Sequence, residues 1–123
     1  MTSIGALLRG VAPAGVYQVP QLDLDPVLDE AMERGWTCGV VDGSRITDHR
    51  EALVEVGRVL DFPDHYGVNL DALADCLSDL GHRTLLIWLG AVAGLEALIP
   101  VLEERCLEEP AFSVLISIGP DPG

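Results

Sequence analysis

The chain has 123 residues, and 49% of them are hydrophobic, a length and composition typical of one folded globular domain. Twenty acidic residues face seven Arg and no Lys, which gives a formal net charge of -13. This balance argues against nucleic acid or an anionic membrane as a direct partner, because both would repel the protein, and it favours a cationic partner. The plainer alternative is that the charge only maintains solubility.

The cysteines do not indicate a disulfide framework. Cys38, Cys76 and Cys106 are odd in number and lack C-x-x-C spacing. The apolar patch around Ile4 to Leu8 is too short for a signal peptide or a membrane span. We therefore expect a cytoplasmic protein.

The N-terminal third shows one strand and one helix. Residues 1–14 have no clear periodicity and are expected to form a loose arm. Val16 to Val19 predicts a short strand. Asp25-Pro26 predicts a helix start, with Asp25 as N-cap and the proline at the first helical position, and Gly35 is a natural stop.

Two strand and helix signals follow in the middle of the chain. Thr37 to Val41 predicts a strand that ends at the Asp42-Gly43 turn, and Thr47 or Asp48 is suited to cap the next helix. After a connecting segment broken by proline and glycine, Asn69 is a good N-cap for a helix that runs to about Leu80.

The C-terminal part supplies the remaining elements. Thr84 to Leu89 is a nearly continuous apolar run, as in a central parallel strand. Residues 94–109 are predicted to be helical, with Pro100 near the start or at a kink, and residues 112–118 predict a last strand.

Alternating strands and helices predict an α/β fold: a small parallel β-sheet of three core strands packed with α-helices, with the N-terminal strand as a candidate fourth. We divide the chain into the arm (residues 1–14), a strand-helix extension (15–36) and the main domain (37–119).

The segment from Asp61 to Leu80 concentrates acidic residues and contains no Lys or Arg. Asp71 and Asp75 are four residues apart, so they lie above one another on the predicted helix. The helix dipole stabilises an acid in the first turn by about 0.3–1 kcal/mol, which accounts for Asp71 but less well for Asp75. A buried stripe is predicted from the apolar residues at helical spacing: Leu70, Leu73, Ala74, Leu77 and Leu80.

The same segment closely resembles a motif of the barstar family. Residues 65–77, HYGVNLDALADCL, match the family's Tyr-Gly-x-Asn-Leu-Asp-Ala-Leu pattern that leads into an Asp-Cys-Leu step. The resemblance extends back to Val40-Val41-Asp42-Gly43 and forward to Val101-Leu102-Glu103-Glu104 and the last strand through Ser117. The chain departs from the pattern at Ala74, where the family has Trp, and at Asp79-Leu80, where Gly-Trp is common.

The resemblance implies an inhibitor of a basic, extracellular, guanyl-specific microbial ribonuclease similar to barnase. Such an inhibitor binds one-to-one, is a monomer on its own and needs no cofactor or metal. The family plugs the enzyme's active site with a helix and the loop before it, so that carboxylates stand where RNA phosphates bind.

Site residues are carried over by position in the motif. Asp75 is expected in the phosphate site, Asp71 against a flanking Arg or Lys, and Glu104 in an outlying ion pair. His65 replaces an aromatic contact residue. The remaining interface positions implied by the resemblance are Gly67, Asn69, Leu70, Ala74 and Asp79.

Three alternatives stay open beside this interpretation. Cys76 beside Asp75, with His65 near in sequence, could indicate a thiol nucleophile, although Cys76 is expected to be buried. Metal binding by Asp23, Asp25 and Asp29, or by Asp61, Asp64 and His65, matches no defensible ligand spacing. Finally, a barstar-like module could act as an immunity or regulatory protein for a different cationic partner.

Overall fold

The computed structural model describes residues 4–20 and 22–117, which contain five α-helices and four β-strands. In chain order these are α1 (Ile4–Leu8), β1 (Val16–Gln18), α2 (Leu24–Glu33), β2 (Thr37–Asp42), α3 (His49–Val59), α4 (Leu70–Ser78), β3 (Thr84–Leu89), α5 (Ile99–Arg105) and β4 (Phe112–Ser117). All the strands pair in parallel, in the order β1-β4-β3-β2. The predicted α/β fold is confirmed, with the N-terminal strand as the fourth. The predicted bounds at residues 118 and 119 lie outside the described residues.

The central strand β3 is buried on both faces of the sheet. Side chains of a strand alternate between its faces, so Leu86 and Trp88 enter one hydrophobic cluster and Leu85 and Ile87 the other. The first cluster, the large core, contains residues of α3, α4 and α5, and the second, the small core, contains residues of α1 and α2. Burial on both sides explains why this strand is a continuous apolar run in the sequence.

The arm before β1 is not loose in its described part. Ile4–Leu8 forms a short helix, and Leu7 and Leu8 are buried in the small core. The indole nitrogen of Trp36 donates a hydrogen bond to the Leu8 carbonyl oxygen at 2.9 Å. The expectation of a loose arm was wrong here, because the apolar residues of this segment cover one face of the sheet. The division into extension and main domain stays a prediction.

Helix α2 begins earlier than the Asp25-Pro26 pair predicts. Its N-cap is Asp23, whose side chain makes no capping hydrogen bond, so Asp25 and Pro26 lie in the first turn. Proline is tolerated there because the first N–H groups of a helix have no partner within it. Gly35 follows the helix with a φ of 83°, as expected of a glycine stop.

The helix predicted over residues 94–109 is shorter in the structure. Glu96–Leu98 forms a 3₁₀ turn, and α5 occupies only Ile99–Arg105. Pro100 lies within its first two positions, as predicted, where its missing N–H costs no helical hydrogen bond.

The predicted turn after β2 is a 3₁₀ turn, Gly43–Arg45, capped by Asp42, whose Oδ1 accepts from the Ser44 amide at 3.1 Å. Gly43 is buried against Trp88, whose indole nitrogen donates to the Ala91 carbonyl oxygen at 2.8 Å. A Cβ on Gly43 would lie 2.6 Å from that carbonyl oxygen and closer still to the indole nitrogen.

Replacing Gly43 with Ala should therefore destabilise the fold by about 1–3 kcal/mol, because the indole must move and its hydrogen bond is strained. Gly81→Ala is the matched control, since a Cβ there meets no atom within 4 Å. Urea unfolding of the two variants measures the difference. Equal stabilities would contradict the tight packing at Gly43.

Candidate functional site

The loop that joins α3 to α4, residues 60–69, is anchored by Tyr66. Its hydroxyl donates to the Leu53 carbonyl oxygen at 3.1 Å, and its ring meets Phe62 edge-on with centroids 5.1 Å apart. A Cβ on Gly57 would lie 2.7 Å from the Tyr66 ring. The glycine therefore lets the ring lie directly on α3, which fixes the loop.

Two residues of this loop, Asp61 and Val68, have left-handed backbone conformations, with φ of 59° and 50°. For a β-branched residue such as Val68 this conformation is strained, at a cost on the order of 1–3 kcal/mol. Val68 is held between the Tyr66 anchor and the cap of α4, and its side chain packs on the large core. The surroundings thus impose one shape on the loop.

Asn69 joins the loop to α4, as predicted. Its Oδ1 accepts from the Ala72 amide at 2.7 Å, and its Nδ2 donates to the Gly67 carbonyl oxygen at 3.3 Å. One side chain therefore caps the helix and ties it to the preceding backbone. A cap of this type stabilises a helix by typically about 1 kcal/mol.

Helix α4 packs on the large core through a narrower stripe than predicted. Leu73 and Leu77 have no exposed surface and Leu80 is partly buried, but Leu70 and Ala74 are exposed. The prediction of a five-residue buried stripe was wrong for these two, because no element in the described part of the chain covers that side of the helix. Leu70 and Ala74 lie instead beside the acids.

The acids of α4 are exposed and unpaired within the described residues. Asp71, Asp75 and Asp79 recur every four residues, so they form a row along one side of the helix. None of them takes part in the ion pairs or side-chain hydrogen bonds of residues 4–20 and 22–117, where the two ion pairs join Arg34 to Glu30 and Arg58 to Glu55. All three residues are exposed to solvent.

The other predicted site residues are also exposed. His65 and Gly67 lie in the connecting loop, a few residues before the acidic row. Glu104 lies on α5, which packs beside α4. The connecting loop and α4 thus present one continuous surface. Glu104 lies beside this surface, on the neighbouring helix α5.

The C-terminal end of α4 rests on a buried arginine that the sequence did not indicate. Arg105 is 2% exposed, and its Nε donates to the Leu77 carbonyl oxygen at 2.8 Å. Its Nη2 donates to the Pro110 carbonyl oxygen at 2.8 Å, and its guanidinium lies 5.7 Å from the centre of the Phe112 ring. A cation at a helix C-terminus also interacts favourably with the helix dipole. Because Leu77 is 28 residues away, only the fold reveals this contact.

The thiol of Cys76 does not have the environment of a nucleophile. It is only partly buried, which corrects the predicted core position. Burial, together with the carboxylates of Asp79 and Asp75, raises the pKa of this thiol. A raised pKa disfavours the thiolate, the reactive form of cysteine.

Neither of the two acid groups weighed as metal ligands forms a site. Within residues 4–20 and 22–117, no three His, Cys, Asp or Glu side chains are arranged to hold a metal ion.

In the same part of the chain, no helix has the length and apolar character needed to cross a membrane.

A cleft of about 370 Å³ opens between the first turn of α3 and the start of α4. It is lined by His49, Arg50, Leu53, Val68, Asn69, Leu70 and Asp71. The cleft therefore adjoins the acidic row and brings basic side chains close to it.

Fold and site together define a small acidic α/β domain that presents an exposed acidic helix. Residues 36–108 match the family described as Barstar (barnase inhibitor). Because this match covers more than half of the chain, the protein belongs to the barstar family. The family is one of inhibitors rather than enzymes, and membership implies in general that a ribonuclease is the partner.

Comparisons of whole proteins add information on the fold alone. No curated protein matches the chain. Among solved structures, the chain is similar to the ORC2 protein of Aeropyrum pernix, solved in ADPNP-ADP complexes, with a TM-score of 0.62 and 17% identity. The match covers 94% of this chain and 38% of that one.

Replacing Tyr66 with Phe tests the loop anchor. Loss of its hydrogen bond should lower the free energy of unfolding by about 0.5–1.5 kcal/mol at neutral pH. Burial raises the pKa of Tyr66 to about 12 from its ordinary value of 10.0, so the unfolded chain loses this proton first. The stabilisation is fully present below pH 10 and is lost as the pH rises to 12.

Urea unfolding at neutral pH and at about pH 11 measures this change. The difference in the free energy of unfolding between wild type and Tyr66→Phe should be smaller at the higher pH. If this difference were the same at both pH values, the folded protein would not hold the Tyr66 hydroxyl in its hydrogen bond.

Proposed function

We propose that this protein is a stoichiometric inhibitor of a guanyl-specific, barnase-like microbial ribonuclease. In this proposal α4 and the connecting loop plug the active site, and their carboxylates take the places of RNA phosphates. The observation that carries the proposal is the exposed, unpaired row of Asp71, Asp75 and Asp79 on a helix fixed at both ends. A cytoplasmic location suits an inhibitor that protects the cell from its own nuclease.

The chemistry of the partner follows from its substrate. An enzyme that binds the RNA backbone must offer cationic side chains, commonly Arg, to anionic oxygens. A carboxylate has the same charge sign and the same planar pair of oxygens that Arg binds in bidentate fashion. The inhibitor's own net charge of -13 would also steer the two proteins together.

The surroundings of the row favour tight pairing. Leu70 and Ala74 are exposed on the same side of α4 and can exclude water from around the carboxylates on binding. The cap by Asn69 and the contact from Arg105 hold α4 in place before binding. Less conformational entropy is then lost on association.

A second candidate keeps the binding surface and changes the partner. Ala74 is exposed where the family has Trp, so the apolar contact at this position is much smaller. Asp79 adds a further charge where Gly is common. These differences favour an immunity or regulatory protein that binds a different cationic protein.

Nucleotide binding is not proposed, although the ORC2 structure is of ADPNP-ADP complexes. At 17% identity the similarity concerns the fold. The phosphate-binding loop of P-loop proteins requires a Lys, and this chain contains none.

Titration of the protein into secreted guanyl-specific microbial ribonucleases tests the proposal. At enzyme concentrations well above the dissociation constant, RNA cleavage should fall linearly and end near one equivalent of inhibitor. Undiminished cleavage with a panel of such enzymes would reject the proposal and leave the second candidate.

Alanine substitutions rank the acids. Asp75→Ala should weaken binding most, by about 2–5 kcal/mol, because it leaves cationic groups of the enzyme buried and unpaired; this range comes from charge pairs in other complexes, barstar with barnase among them. Asp71→Ala should follow, and Glu104→Ala should have a smaller effect because a peripheral carboxylate stays solvated.

The control is Asp29→Ala, which removes the same charge from an exposed position of α2, on the far side of the sheet. Calorimetric titration of the four variants measures the ranking. Equal losses of affinity in all four variants would mean that the acids contribute only to the overall electrostatic field of the protein and make no specific contacts.

A further inference from the structure

The cleft between α3 and α4 continues the surface that we assign to the ribonuclease. Three residues of its wall, Asn69, Leu70 and Asp71, belong to that surface. The opposite wall comes from the first turns of α3 and carries His49 and Arg50. A partner seated on the acidic row therefore also meets basic groups that are distant in sequence.

Arg50 has no partner in the described part of the chain. It is exposed and forms no ion pair or side-chain hydrogen bond there, unlike Arg34 and Arg58, which pair with neighbouring glutamates. Arg50 and Asp71 line the same cleft but do not form an ion pair with each other. Both charges are thus free to bind groups of another molecule.

The position of Arg50 does not suit the stability of its own helix. It is the second residue of α3, where the positive end of the helix dipole disfavours a cation. Two nearby residues follow the usual rule: Asp48 is the N-cap, and Glu51 is the acid of the first turn. A residue that opposes a local preference without a structural contact indicates a role in binding.

We propose that Arg50 binds a carboxylate side chain of the ribonuclease, held in the cleft between α3 and α4. This inference rests on the proposed function. The anion is expected from a protein, because the net charge of -13 repels nucleic acid as a whole. The apolar walls formed by Leu53, Val68 and Leu70 exclude water and strengthen such a pair.

The consequence is a second, opposite charge contact beside the acidic row. The partner must present a cationic group to Asp71 and an acidic group to Arg50. A ribonuclease with a basic cleft but no acid at its rim would fit less well. Arg50 is therefore a specificity-determining residue.

Charge reversal at Arg50 gives a test in which local and long-range effects have opposite signs. Arg50→Glu makes the inhibitor more negative, so a diffuse field would strengthen binding to a cationic enzyme. Loss of a local pair would instead weaken it. Arg9→Glu is the matched control, because Arg9 is exposed after α1, on the other side of the sheet, and lines no part of the cleft.

For a ribonuclease that the wild type inhibits, we expect Arg50→Glu to raise the dissociation constant at least about tenfold. The dissociation constant of Arg50→Gln should lie between those of the wild type and Arg50→Glu. Arg9→Glu should change it by less than about twofold or tighten binding. Thermal unfolding should show no loss of stability in Arg50→Glu, since an acid suits the first turn of a helix.

Asp75→Ala, measured in the same series, separates the two proposals. If Asp75→Ala abolishes binding but Arg50→Glu binds like Arg9→Glu or more tightly, the Arg50 contact is overturned and the proposed function stands. Arg50→Glu would also bind as well as Arg9→Glu, or more tightly, if Arg50 only offset the charge of Asp71 in the unbound inhibitor. That outcome likewise overturns the Arg50 contact. If the wild type binds none of the ribonucleases, both proposals fail.

Discussion

The burial of β3 on both faces is the constraint on which the other elements depend. Leu85 to Trp88 have no exposed surface, so a layer of helices must cover each side of the sheet. Helix α4 serves the large core with two fully buried leucines, each contributing about 1.5–3 kcal/mol. Because Leu73 and Leu77 are one turn apart, they occupy a single stripe. The rest of the helix surface is free to carry charge.

A row of like charges on one helix is unfavourable for folding, and contacts around α4 offset that repulsion. Asn69 caps its start, Tyr66 fixes the loop before it, and Arg105 binds a carbonyl oxygen at its end. None of these contacts uses a carboxylate of the row. The elements that hold the helix are therefore separate from the groups that are proposed to bind.

Local signals predicted much of this structure. The cap by Asn69, the strand at Thr84–Leu89 and the proline at the start of α5 each depend on neighbours in sequence. The contacts of Arg105, and the approach of Arg50 to Asp71, depend on how distant elements pack, and no periodicity encodes them. The exposure of Leu70 and Ala74 was mispredicted for the same reason. The spacing of apolar residues defines a stripe on the helix, but it does not show how much of that stripe the neighbouring elements bury. The roles of the acids came from the family resemblance and stay predictions.

The arm and the extension, apart from residue 36, lie outside the family match, yet they complete the folded unit. The extension places β1 along the edge of β4, and Leu7 and Leu8 of the arm bury the small core together with Ala31 of the extension. A chain trimmed to the matched residues would lack both β1 and β4, and it would leave one apolar face of the sheet and the edge of β3 open to solvent. Open edges and apolar faces of this kind promote association between copies. For this protein, the smallest fragment that keeps the sheet and both hydrophobic cores complete is thus larger than the segment by which its family is recognised.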